Sequence, residues 1–258
     1  HKGILISIIL LFVRKFIWIE FIMNEDSRSL QKEDLRRKPL PEKICSIDRL
    51  LFSLESRNLD GIVITNPLNV FYLTSFNGVA HKSDEPRPYA LVFSRHVPDH
   101  PILVVADYYV SSFLKQPSWV KDIRPFRAVM MPLDLPSSKE DVDKFIISTG
   151  KGIEWVEDAR KNYCFSMREA VNDAMIELAL ETKRIGFDDM GTGYRLGFED
   201  IEVCDAYDVM MFARSVKTAG EISLLRSATA LNEEAIKRTI SSWECGVTWR
   251  DLDVSYTR

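Results

Sequence analysis

DGIVITNPLNVFYLTSF, residues 60–76, is the stretch whose reading decides the fold. Asp60-Gly61 is a turn pair. Ile62, Val63 and Ile64 are consecutive β-branched residues, which suits a strand covered on both faces, as in parallel sheets. Asn66 is a good N-cap, and Pro67 fits the first helical position, where its missing N–H costs nothing. Val70, Phe71 and Leu73 then pin a short helix back onto the sheet. A strand running into a helix N-terminus is a common ligand position in α/β proteins. The stretch therefore predicts an α/β fold and raises the question of a ligand.

Outward from this corner, strand and helix patterns alternate. Upstream, Pro39 and Pro41 end a charged segment, and residues 42–57 carry Ile44, Ile47, Leu50, Leu51 and Leu54 on one helical face. Downstream lies a long loop, 75–88. YALVFS (89–94) and ILVVA (102–106) are closely spaced strand patterns, which predicts a hairpin or antiparallel neighbours inside a mixed sheet. Asp107 is expected to cap a helix over 108–115. Residues 121–125, 184–187 and 201–204 read as strands, and 138–148, 167–180 and 192–198 as helices. This alternation predicts a three-layer α/β domain. From Asp205 onward the pattern becomes almost continuous helix. Residues 207–213 form one piece. Thr218 and Glu221 make a capping box ahead of a long helix expected to face Ile222, Leu225, Ala228, Ala235, Ile236 and Trp243 inward. Gly246 ends it, and Thr248 with Asp251 begins another.

The whole-chain properties narrow the function. The chain has 258 residues, 46% of them hydrophobic, enough for a substantial core in one large domain or two ordinary ones. Its 34 basic and 38 acidic residues are well mixed, with a net charge of −4, so there is no basic stripe for nucleic acid. Cys45, Cys164, Cys204 and Cys245 are scattered, without a C-x-x-C pair, as reduced core cysteines of a cytosolic protein would be. Residues 1–22 hold a ten-residue apolar run, 4–13, followed by Arg14-Lys15. This is too short for an ordinary membrane span and lacks a small-residue cleavage site. The expectation is a leader foreign to the mature protein, with a signal anchor as the rival; residues 23–39 are a charged tail.

Several motifs fail on their chemistry. His96 and His100 have the H-x-x-x-H spacing of a helical zinc pair, but Pro98 and Pro101 exclude the helix, leaving an exposed hairpin turn. Gly191-x-Gly193 lacks the third glycine of a dinucleotide turn, since Leu196 stands there, and reads as a helix-start turn. Gly150-Lys151 lacks the rest of a phosphate loop. Asp188-Asp189 and Glu199-Asp200 read as solvated pairs. The loop residues 77–88 are different, because His81, Lys82, Asp84, Glu85 and Arg87 crowd one stretch. Arg87 stands between Pro86 and Pro88, which hold the backbone extended and stiff. A rigid Arg there can present a fork to a carboxylate.

Taken together, NPLNVFYLTSF (66–76) and FARSVKTAGEISLLRSATALNEEAIKRTISSWECGVTWRDLD (212–253) resemble the creatinase/Xaa-Pro aminopeptidase family, the prolidase-like "pita-bread" metallopeptidases. Asn69, Tyr72, Leu73, Thr74 and Phe76 match the family's segment after its first strand. Arg214, Lys217, Glu221-Ile222, Leu225-Arg226, Ala228, Gly246-Val247-Thr248 and Leu252 match, in order, the start of its catalytic domain. Cys245 and Trp249 depart from the Pro and Glu more often seen there.

The resemblance implies a creatinase-like N-terminal domain over 40–205 and the truncated start of a catalytic α+β domain over 206–258. It also implies a homodimer, a small peptide substrate, and two divalent metals (Mn, Co or Zn) held by two Asp, one His and two Glu. None of those ligands matches a residue of this sequence. In such enzymes the N-terminal domain lends a loop to the partner's active site, which nominates His81 and Arg87. Creatinase-type hydrolysis, sulfoniopropionate-lyase chemistry and a catalytically dead scaffold remain open alternatives on the same fold.

Overall fold

The structure, a computed structural model, describes residues 43–76, 89–113, 118–128, 153–181, 183–198 and 201–257. Its centre is a six-stranded mixed sheet in the order β4-β3-β2-β1-β5-β6. The strands are β1 (Gly61–Ile64), β2 (Ala90–Ser94), β3 (Ile102–Ala106), β4 (Asp122–Phe126), β5 (Arg184–Phe187) and β6 (Glu202–Asp205). β1 runs antiparallel to β2 and parallel to β5, with Val63 opposite Val92 on one side and Phe187 on the other. β2 and β3 are antiparallel, whereas the β3–β4 and β5–β6 pairs are parallel.

All four residues of β1 are buried. Successive side chains on a strand point to opposite faces, so burial of Ile62, Val63 and Ile64 alike means that both faces are covered. The expected three layers follow. Among the covering helices are α1 (Ile47–Ser56), α2 (Pro67–Thr74), α4 (Glu154–Lys161) and α5 (Met167–Glu177). Asn66 caps α2 through its side chain, which accepts from Leu68 N at 3.0 Å, and Pro67 opens the helix. Val70, Tyr72 and Leu73 are buried in it, whereas Phe71 is half-buried. Phe71 still packs against the core, as expected, and Tyr72 adds a buried ring beside it. At the other end Ser75 takes a left-handed φ of 60°, turning Phe76 into a ring cluster with Tyr89, Tyr109 and Phe113.

Close backbone approach explains two glycines. A Cβ on Gly61 would lie 2.7 Å from Phe93 O, and one on Gly186 would lie 2.6 Å from the Ala206 Cβ. Either side chain would force adjacent elements of the sheet apart.

Some expectations need correction. Asp107 does not cap an α-helix; it opens a 3-10 turn, Asp107–Tyr109, that runs into the short α3 (Val110–Phe113). α4 lies where no element was expected, because its sequence, EWVEDARK, buries only Val156 and Ala159, with Trp155 partly buried against the core. α5 stops at Glu177, and Ala179 takes a φ of 53° just beyond. The helix expected over 138–148 lies outside the described residues, as do the leader and tail of 1–39.

The described chain divides into two compact units, one within Leu40–Arg226 and one that includes Ser227–Arg258. The first unit also contains α6 (Met190–Leu196), α7 (Tyr207–Ser215) and the beginning of α8 (Ala219–Ser241). In the second, Gly246 at φ 101° separates the end of α8 from α9 (Trp249–Thr257). The Thr248–Asp251 capping box forms as expected, with Thr248 N donating to Asp251 Oδ2 at 3.0 Å and Asp251 N to Thr248 Oγ1. Arg238 ties the pair by donating to Ser255 O at 3.1 Å and to Tyr256 O. The expected inward face of α8 is not covered, since the helix has no buried residue. Ile222, Leu225 and Ile236 are exposed, and Trp243 is 69% exposed.

Candidate functional site

The polar centre of the first unit is Asp188, at the carboxyl end of β5. β1 and β5 are parallel neighbours, so their carboxyl ends emerge side by side, and β1 leads there into Thr65, Asn66 and the N-terminus of α2. The Asp188 carboxylate fills this place. Its Oδ1 accepts from Thr65 N at 2.8 Å and from Thr65 Oγ1 at 3.3 Å. Its Oδ2 accepts from Asn66 N at 3.1 Å and from Asn69 Nδ2 at 2.8 Å. A carboxylate on the unpaired N–H groups of a helix start is electrostatically favoured. Burial pushes the Asp188 carboxyl above the usual range, while the bonds from Asn69, Thr65 and Asn66 oppose that shift. Only half of the Asp188-Asp189 pair is solvated, since Asp189 is exposed and Asp188 is not. Asp188 is buried, and Asp189 caps α6 by accepting from Gly191 N and Thr192 N, both at 3.1 Å.

From Asp188 the network passes outward. Asn69 Oδ1 accepts from Arg214 Nη1 at 2.8 Å. One helical turn later, the Tyr72 hydroxyl accepts from Ser46 N at 3.0 Å and donates to Ala213 O at 3.1 Å. Arg49 donates to Phe212 O and Ser215 Oγ, both at 2.8 Å, and its guanidinium lies over the Phe212 ring. Thr218 Oγ1 donates to Ile44 O at 2.8 Å, while Thr218 N and Glu221 Oε2 close the predicted capping box at 2.9 Å. The segment from Phe212 to Glu221 is therefore stitched side chain by side chain to α1, α2 and the residues before α1.

This arrangement binds protein to protein. The strand-to-helix turn that raised a ligand question is occupied by the chain's own carboxylate. Tyr72 and Phe76 are core residues. The Gly191-x-Gly193 turn is likewise a helix start. A Cβ on Gly193 would lie 3.1 Å from the Phe187 ring, so the glycine serves packing of α6 on β5. An open depression with a cavity volume of about 40 Å³ is lined by Phe113, Ser118, Val120, Lys121, Ile123 and Trp155. It falls below the size and polar convergence of an ordinary small-molecule site.

His96 and His100 sit in the β2–β3 turn, half exposed, and serve different carboxylates. His96 Nε2 lies 3.1 Å from Asp60 Oδ1, which also accepts from Arg95 at 3.1 Å. His100 Nε2 lies 3.0 Å from Asp122 Oδ2 and 3.7 Å from Glu177 Oε1. His100, Asp122 and Glu177 form the one group with metal-ligand proximity among the described residues. The buried Arg124 guanidinium already holds it: Arg124 donates to Asp122 Oδ1 and Oδ2 at 3.1 and 3.0 Å and pairs with Glu177. A fixed cation between both carboxylates takes the place of a metal ion. The group offers one Asp, one Glu and one His, so it does not fit a two-metal, five-ligand centre.

His81 and Arg87, the residues nominated by the resemblance for substrate access, lie outside the described residues. Asp188, Asn69 and Arg214 are the residues whose joint role the sequence reading missed. A signal was present: Asn69 and Arg214 each matched a separate family segment. Nothing in either segment indicated that the two touch.

The family model for the Creatinase/Prolidase N-terminal domain matches residues 47–216. No curated protein matches the chain. Among solved structures, a prolidase from Thermococcus sibiricus superposes with a TM-score of 0.52 at 13% identity, covering 88% of this chain and 49% of that one. A dipeptidase from Pyrococcus horikoshii OT3 gives 0.51 at 14% identity, covering 81% and 48%. A prolidase from the same organism gives 0.50 at 13%, covering 81% and 46%. At these identities the likeness is one of fold. The chain spans about half the length of the structures it matches.

Proposed function

The chain belongs to the Creatinase/Prolidase N-terminal domain family, and we propose that it is the N-terminal part of a metal-dependent Xaa-Pro aminopeptidase or prolidase-like hydrolase. In this reading the α/β domain shapes the active-site entrance and the dimer. One observation carries it. The two sequence segments that together resembled the metallopeptidases, around Asn69–Tyr72 and Arg214–Lys217, meet in space through the Arg214–Asn69 and Tyr72–Ala213 hydrogen bonds. Residues shared with a family for separate reasons have no need to touch; residues shared because they build one junction do.

The exposed apolar side chains of α8 and α9 agree with this reading. Ile236 and Ile240 of α8, Trp243 just beyond it, and Trp249 and Val254 of α9 are all exposed, Trp249 at 87%. Helices with this many apolar residues are ordinarily covered by further structure, here the remainder of a peptidase domain. The two divalent metals of such an enzyme, Mn, Co or Zn, would be held by that remainder and would activate water and polarise the scissile carbonyl. This chain's contribution is the junction and the 77–88 loop, with His81 and Arg87 reaching toward the active site of the other subunit in a homodimer. A cytoplasmic location is part of the proposal; separately, no described helix is long and apolar enough to cross a membrane.

The test is a substrate panel on the full-length protein from its native source: Xaa-Pro dipeptides, longer Xaa-Pro peptides and creatine, with release of free proline or urea as readout. Proline release from the dipeptides supports the proposal. Urea from creatine alone, or no turnover of any member, contradicts it.

A further inference from the structure

Asn69 carries one amide with two different ends, and both are committed. Its Nδ2 faces the buried Asp188 carboxylate and its Oδ1 faces Arg214. The orientation has a physical cause. An ionised carboxylate only accepts hydrogen bonds, so the amide NH2 must turn toward Asp188, and the amide oxygen is then left pointing at position 214. Arg, which only donates, is the complement of that oxygen. If the amide flipped, it would set NH2 against guanidinium on one side and oxygen against carboxylate on the other. Asp188 does not touch Arg214; it determines through Asn69 that Arg214 is gripped.

The grip has a second point. Tyr72, three residues after Asn69 on the same face of α2, donates to Ala213 O. Consecutive residues at the end of α7 are therefore held by consecutive turns of α2. Lys217 Nζ then donates to Arg214 O, and Thr218 to Ile44 O, so the grip extends to the first residues of α8. We propose that Asp188 is a positioning residue of the proposed hydrolase: by locking the Asn69 amide it holds Arg214, and with it the α7–α8 turn, in the geometry that turnover requires. This inference rests on the hydrolase reading for its functional half only.

The experiment uses the full-length protein with Asp188→Asn, Asn69→Ala, Arg214→Met and the pairwise doubles. Amide hydrogen exchange and steady-state proline release are followed together. The expected result is exchange about tenfold faster across residues 214–222 in each single variant, the size that loss of one hydrogen bond to a charged group brings. Val92 and Leu103 in the sheet should stay unchanged. Once Asn69 is Ala, adding Asp188→Asn should cause no further acceleration at 214–222. The value of kcat should fall by about the same factor with KM little changed, and Arg214→Lys should recover part of it.

Unchanged exchange at 214–222 in Arg214→Met overturns the proposal, as does additivity between Asp188→Asn and Asn69→Ala. A rise in exchange throughout the sheet in Asp188→Asn would mean general unfolding; Arg214→Met, at the outer end of the network, then decides alone. If the wild-type protein releases no proline, the hydrolase reading fails, and the exchange pattern still decides the latch.

Discussion

Asp188 and Asn69, 119 residues apart in the chain, meet side chain to side chain, with Asn69 Nδ2 donating to Asp188 Oδ2 at 2.8 Å. The contact joins the end of β5 to the first turn of α2, and both residues are buried. Its energetic weight comes from what would be stranded without it. In Asp188→Ala the N–H groups of Thr65 and Asn66 and the amide of Asn69 lose their acceptor. Leaving buried donors unsatisfied costs about 1–3 kcal/mol each, and compact rearrangement recovers part. A loss of about 3 kcal/mol is predicted by denaturant titration of the chain, against less than about 0.5 kcal/mol for the exposed Asp99→Ala.

Acid should weaken the fold through Asp122. Burial alone would raise its carboxyl, but hydrogen bonds from Arg124 and His100 hold it below the usual range. A group with a lowered folded-state pKa adds stability above its unfolded value of about 4 and loses it as pH falls through the folded value. Asp188, shifted upward, acts with the opposite sign, its contribution falling as pH rises from about 4 through its raised value. Asp122→Asn should lower stability at pH 7, because Arg124 is then left with Glu177 alone, and should flatten the decline below pH 4. Urea midpoints measured from pH 2 to 7 check both effects.

The four cysteines are free thiols in different surroundings. Burial pushes the Cys45 thiol up to about 11, which leaves little thiolate at pH 8. Cys164 is buried and Cys245 exposed. Alkylation under native conditions, read by peptide mass, should label Cys245 first and Cys45 and Cys164 only on unfolding. Early labelling of Cys45 would contradict the burial described for it.

Backbone geometry gives a matched pair of substitutions. Ala179 holds a φ of 53° after α5, where a side chain is strained, so Ala179→Gly should gain about 0.5 kcal/mol after the added unfolded-state entropy is subtracted. Gly186→Ala should lose about 1–3 kcal/mol, the usual range for overpacking, because its Cβ would sit 2.6 Å from that of Ala206. Thermal unfolding of the two variants should shift in opposite directions.

The sheet was legible because its strands are runs such as ILVVA and IVI, whose composition admits few other structures. The cap at Asn66, the capping boxes at Thr218 and Thr248, and the β2–β3 hairpin were legible for the same local reason. What stayed hidden depends on distance along the chain. Asp188 next to Asp189 reads as a hydrated pair until the parallel pairing of β1 with β5 carries it against Thr65 and Asn66. α4 was passed over because a helix with two buried residues has little periodicity to read. The outward Ile222 and Leu225 show the converse: amphipathic spacing indicates that a face wants covering, not what covers it.

The central claim, that this domain serves a metal-dependent Xaa-Pro hydrolase, is tested most directly by metal removal and restoration on the full-length protein. Proline release from a Xaa-Pro dipeptide is measured before chelation, after chelation, and after addition of Mn, Co or Zn. The prediction is turnover that vanishes on chelation and returns with at least one of the three ions. Turnover indifferent to chelation, or its absence with every ion, would contradict the account.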